Sequence, residues 1–181
     1  MHRRTVMRLW RFSSLGALIG CASVALASPP PTKPPLFTSA YTNLETDCRP
    51  AVAQSEAGEG QDVPLQCKRI GGYSVKISFT AEAAYIAVEE GAFYLDLGED
   101  RFGLVSPKSG RKIEWRLANR RPFAVIFRTY DYSGGAPVEI LVVKGLKGFS
   151  HINTVVNPRK APDANAAAHQ RADEGYLNQK K

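Results

Sequence analysis

Few side chains in this sequence could carry chemistry. Beyond His2 the histidines are His151 and His169, and the cysteines are Cys21, Cys48 and Cys67. Nucleophilic catalysis needs a hydroxyl or thiol beside a base, with a third group to orient that base. Ser150 adjoins His151, but neighbouring residues of a strand point to opposite faces, so the two do not form a dyad. His151 is instead predicted to share the face of Phe149 and Val155 as a packed, hydrogen-bonded residue. His169 has only Asn165 and Asp173 at four-residue spacing, too few donors for a metal. No GxSxG, HExxH or phosphate-loop pattern occurs. Glu89–Glu90 and Glu99–Asp100 lie at predicted turns, whereas a glycosidase pair must face across a cleft. No catalytic residue, cofactor or metal site is therefore assigned. The reading is a non-enzyme, with a hydrolase using His151 as the remaining enzymatic alternative.

Two short stretches are better suited to binding. In "TYDYSGGAP", Tyr130, Asp131 and Tyr132 sit in a predicted loop, where tyrosine supplies contact area with few rotors and a polar end. The alternative is a tyrosine that simply covers the end of the core. In "RKIEWRLANRRPFAVIFR", Arg120 and Arg121 fall at the turn between two strands, a basic tip able to meet an acidic surface. On this reading Trp115 and Phe123 occupy the alternating apolar positions of the two strands. Lys112 and Arg116 lie outward beside Glu114, where cationic side chains also discourage edge-to-edge aggregation.

The N-terminal residues read as an export signal. Arg3, Arg4, Arg8 and Arg11 precede an uncharged run from Phe12 to Ala27 that ends in the small-x-small pattern Ala25-Leu26-Ala27. The run is shorter than the ~20 residues that span a bilayer. Cleavage after Ala27 is the favoured reading. The alternative is lipidation of Cys21, since Leu18-Ile19-Gly20-Cys21 has the form of a lipobox. Residues 1–27 hold four of the 24 basic residues and none of the 17 acidic ones, so cleavage lowers the net charge from +7 to +3. That balance, with export, argues against a nucleic-acid partner. Cys48 and Cys67 then form one candidate disulfide, as an oxidising compartment favours.

The elements that would position these residues are mostly strands. "SPPPTKPP" (28–35) is a Pro-rich spacer, residues 36–157 a single β-domain, and 158–181 an Ala-rich tail. "YSVKISF", "AAYIAVE", "AFYLDL", "KIEWRLA" and "FSHINTVV" alternate with period two, and Leu104–Val105 sit between turn clusters. "FAVIFRTY" and "VEILVVK" are apolar on both faces, as central strands are. Seven to eight strands with close turns predict a mainly β fold, either an antiparallel sandwich or a small barrel. In the tail, Ala164, Ala168, Ala172 and Tyr176 form one stripe at four-residue spacing. A short helix docking through Tyr176 and Leu177 is expected, weakened by Gly175; a disordered tail is the alternative.

The segments "AYTNLETDC", "GGYSVKISF" and "IEWRLANRRPFAVIFR", with the Ala-Asn-Ala tail, resemble small secreted proteobacterial proteins that are described only as domains of unknown function. That resemblance implies export and a single domain, without an activity. The expectation is thus a periplasmic or secreted cell-envelope module that binds a protein or an envelope polymer. An inhibitor or accessory protein of an envelope hydrolase is the alternative.

Overall fold

The computed structural model describes residues 33–53, 62–81, 83–100, 112–131, 133 and 136–179. The export signal, Cys21, most of the Pro-rich spacer, Leu104–Val105 and Tyr132 lie outside them, as do the side chains of Glu99 and Asp100. All described elements fall in the compact unit Pro34–Lys181.

Ten strands and one helix occur among the described residues. In chain order they are β1 Phe37–Asn43, β2 Cys48–Pro50, β3 Leu65–Cys67, β4 Ser74–Phe79, β5 Ala84–Glu90, β6 Phe93–Asp100, β7 Lys112–Ala118, β8 Arg121–Asp131, β9 Val138–Gly145, β10 Asn153–Val156 and α1 Ala164–Leu177. They build two antiparallel five-stranded sheets, one ordered β1-β7-β8-β9-β10 (sheet A) and the other β2-β3-β4-β5-β6 (sheet B). The sheets are open, so the fold is a sandwich and not a barrel. β1, β2 and β3 carry no clear period-two signal in the sequence. "FTSAYTN" carries too many small polar residues to show a clear apolar face, and the other two strands are three residues long.

The interior between the sheets collects Tyr73, Val75, Ile77, Ala84 and Val88 from sheet B and its approach, with Ile113, Trp115, Leu117, Val125, Phe127 and Val142 from sheet A. Trp115 is wholly buried, and its indole N–H donates to Thr42 Oγ1 at 2.8 Å, which satisfies the donor that burial would otherwise strand. Cys48 and Cys67 pair directly across β2 and β3 and form a disulfide.

Sheet A is also covered on its second face. Ala118, Phe123, Ala124, Ile126, Leu141 and Val143 pack there against Ala168 and Ala172 of α1. This explains why β8 and β9 are apolar on both sides. A bulge in the β7–β8 ladder, where Arg116 pairs with Ala124 but Leu117 with Pro122, leaves Phe123 as the extra residue. Phe123 therefore turns to the helix side, not to the interior beside Trp115 as strict alternation requires. There it meets Tyr176 (ring centroids 4.8 Å apart), Phe37 (5.8 Å) and Phe149 (5.7 Å).

The helix is set by local signals and by fit. Asp163 caps it by accepting from Ala166 N–H at 2.9 Å. Its two buried alanines bring the helix backbone close to the sheet. Gly175 contributes to that fit: a Cβ there would stand 2.6 Å from Ile152 Cγ1. The glycine expected to weaken docking is thus required by it. Tyr176 docks as expected, but Leu177 is 61 % exposed. The expected strand "FSHINTVV" shortens to β10, because residues 147–151 form turns; the Phe149 N–H bonds back to the Leu146 carbonyl and the Ile152 N–H to that of Phe149.

Candidate functional site

The helix covers only part of sheet A. α1 is about 21 Å long, and beyond its N-terminal half the sheet face remains open. On that face β1 places Tyr41, β7 places Lys112 and Glu114, and β8 places Arg128, all on one side by the period of two. Asn165 and His169 project from the first turns of α1. Together with Ile126 and Leu141 they line a groove of about 430 Å³. Its base is apolar and its walls carry carboxylate, guanidinium, amine, carboxamide and imidazole groups. Tyr41 is 56 % exposed at its side.

The polar walls are tied together. His169 Nε2 donates to Glu114 Oε1 at 2.6 Å, and the Ser39 hydroxyl donates to the same oxygen. Ser39 in turn accepts from Arg116 Nη1 at 3.2 Å. Arg116 grips Asp173 through two parallel bonds, Nε to Oδ1 at 2.8 Å and Nη2 to Oδ2 at 2.6 Å. That bond to Asp173 is the main reason the Arg116 guanidinium is raised above its usual value, against a smaller opposing effect of burial. On the groove's other wall Arg128 pairs with Glu139 and reaches Asn165 Oδ1 at 3.5 Å. Ser39, His169 and Glu114 do not make a catalytic relay. In such a relay the serine donates to the imidazole, whereas here serine and imidazole both donate to one carboxylate oxygen.

His169 shows no ligand or ion partner along its own helix. Its partner Glu114 lies on a strand 55 residues away. The weak available signal was the alternation that puts Glu114 on the outer face of β7.

The predicted binding residues are split between the two ends of β8. Tyr130 follows Arg128 on the groove side, paired across the ladder with Glu139. Limited burial, and then the Glu139 charge, raise its phenol while Arg128 pulls it down. Asp131 is exposed, and its carboxylate accepts the Ser133 N–H at 2.9 Å; this lowers its pKa and makes the loop start a self-capped turn. Arg120 and Arg121 lie at the far end, roughly 23 Å along the strand from Arg128. His151 is exposed and not packed into the core; its Nε2 donates to the Gly175 carbonyl at 2.9 Å, tying the turn before β10 to the helix. Among the described residues no three His, Cys, Asp or Glu side chains converge as a metal site requires. No helix among them is long and apolar enough to cross a membrane.

No protein-family model, curated protein or solved structure matches the chain.

Proposed function

We propose that the protein is exported and acts in the cell envelope as a non-enzymatic module that binds a glycan in the groove between sheet A and α1. The observation that carries this reading is the side-chain set around the groove. Tyr41 offers an exposed ring against which the C–H face of a sugar can lie. Glu114, Arg128, Asn165 and His169 supply acceptors and donors in the mixed proportion that neighbouring hydroxyls need. The ion pairs and hydrogen bonds described above hold these groups before any ligand arrives, which reduces the entropy lost on binding. Export is supported by the arginine-rich and apolar N-terminal pattern, and the Cys48–Cys67 disulfide is compatible with an oxidising compartment.

The test is titration of the chain from Ser28 onward with defined fragments of envelope polysaccharides, followed by calorimetry and by chemical-shift changes. Binding is expected to perturb the Tyr41 ring and the His169 imidazole, and Tyr41→Ala is expected to weaken it about tenfold. Binding that leaves both residues undisturbed, or no binding to any fragment, overturns the reading.

A further inference from the structure

The end of the sandwich opposite the groove carries a second chemistry. β7 turns into β8 through Asn119 and Arg120, both with left-handed backbone at φ 50° and 67°. This two-residue turn favours Asn-Gly, because a side chain at the second position is strained by about 1 kcal/mol. The chain keeps an arginine there and follows it with another. The tip sits against sheet B: a Cβ on Gly71 would stand 2.5 Å from the Pro122 ring, so the turn that carries Arg69 abuts the start of β8. Lys147 belongs to the same end, since the N–H of the preceding Leu146 bonds to the Phe123 carbonyl at 2.8 Å. Arg69, Arg120, Arg121 and Lys147 are all exposed, and among the described residues none is engaged by a side-chain hydrogen bond or an ion pair. Glu90 is the carboxylate close by, its Oε1 set 3.0 Å from where a Cβ on Gly72 would stand.

Two further observations give this end a direction. The chain enters the sandwich here. Leu36 is fixed beside the tip by a reciprocal pair of bonds, its N–H to Asn119 Oδ1 at 3.0 Å and the Asn119 N–H to its carbonyl at 2.9 Å. Its side chain is 68 % exposed, an apolar group held beside the turn that carries Arg120.

We propose that this end of the sandwich docks on an anionic phospholipid surface. Arg69, Arg120, Arg121 and Lys147 meet the headgroups, and Leu36 enters the interface. Exposed cations beside an anchored apolar side chain match the layering of headgroup charge over acyl chain. A soluble polyanion offers the charge without the apolar layer. Docked this way, the domain holds its groove away from the membrane. The inference goes beyond the glycan reading and fails independently of it, because the groove lies at the other end of β8.

The experiment is co-sedimentation of the chain from Ser28 onward with phosphatidylcholine vesicles, with and without phosphatidylglycerol. All described strands, the disulfide and both hydrophobic cores lie within that chain. Binding is expected with the anionic vesicles alone, and it should fall at least ~10-fold between about 0.1 M and about 0.5 M salt. Each Lys or Arg near such a surface strengthens binding roughly fivefold, so R120Q/R121Q should lose roughly 30-fold. R120G removes one charge while relieving the strained turn; it should bind about fivefold less and melt higher, which separates lost binding from lost folding. K160Q, beside the start of the helix, should bind as the parent does. Equal binding to neutral vesicles, or unchanged binding by R120Q/R121Q, overturns the proposal. Tighter binding of a soluble acidic polysaccharide than of anionic vesicles at the same salt also overturns it, and assigns this end to a polyanion instead.

Discussion

Replacing Gly175 with alanine tests how the helix is held. In an isolated helix this change stabilises by about 1 kcal/mol, because alanine loses less backbone entropy. Here the added methyl would lie 2.6 Å from Ile152 Cγ1, 2.9 Å from Cδ1 and 3.5 Å from Cβ. Carbon atoms prefer separations of about 3.5–4.0 Å, so two of these contacts overlap by up to about 1 Å. Ile152 cannot easily retreat. It is 4 % exposed, its N–H bonds to the Phe149 carbonyl at 2.9 Å, and its carbonyl accepts from Gly145 N–H at 2.7 Å. Overpacking of this kind costs about 1–3 kcal/mol. Set against the propensity gain, Gly175→Ala is expected to destabilise by about 1 kcal/mol, and by up to about 2 if the helix is pushed outward. Urea unfolding followed by Trp115 fluorescence measures it, since Trp115 is the sole tryptophan in a chain that begins at Ser28. A double-mutant cycle identifies the cause. Ile152→Ala removes Cγ1, so it should cost less in the Gly175→Ala background than in the parent, with a coupling of about 1–2 kcal/mol. A Gly175→Ala variant that gains stability, or a cycle with zero coupling, refutes this account of docking.

Three other outcomes follow from the same structure. Replacing Cys48 and Cys67 with serine should lower the unfolding free energy by about 3 kcal/mol, as a loop closed over 19 residues implies, measured as the urea midpoint shift that reductant produces in the parent but not in the variant. Arg116→Ala should destabilise by about 2 kcal/mol, because its side chain is 12 % exposed and it leaves Asp173 without its bidentate partner; a double-mutant cycle with Asp173→Ala should recover at least half of that as coupling, and additivity would refute it. Tyr73 has its phenol raised above 10.0, first by burial and then by the charge and hydrogen bond of Glu90. Because the folded value exceeds the unfolded one, its contribution is complete below pH about 10 and declines as pH rises through the folded value. Tyr73→Phe should therefore flatten the loss of stability above that pH, and an unchanged slope speaks against it.

The elements most legible in the sequence were those whose signal is local. The period of two in "YSVKISF" and "KIEWRLA" identified β4 and β7, and the double-sided apolarity of "FAVIFRTY" marked β8 as central. The two cysteines bounding a polar segment gave the disulfide. What stayed hidden depends on neighbours remote in sequence. Nothing local shows that Gly175 faces Ile152, or that a bulge turns Phe123 toward Tyr176. The groove was hidden for the same reason: Tyr41, Glu114, Arg128 and His169 come from three strands and a helix. The candidates chosen from sequence, Tyr130 with Asp131 and Arg120 with Arg121, were picked for exposure at loops. They fall at opposite ends of one strand and do not form a common site.

The position of α1 after all the strands fixes the order in which the molecule can be completed. The β2–β3 ribbon and its disulfide close over a short stretch of chain and need nothing that follows β4. Sheet A cannot be finished so early. Until Ala168, Ala172 and Tyr176 have been made, Phe123, Ile126, Leu141 and Val143 lack the helix that completes the cover on their outer side. A nascent chain stopped before Ala164 therefore presents a continuous apolar sheet face, the kind of surface that drives self-association. The closing helix thus acts as a completeness check: chains that lack it leave these apolar side chains bare, and chains that carry it bury them.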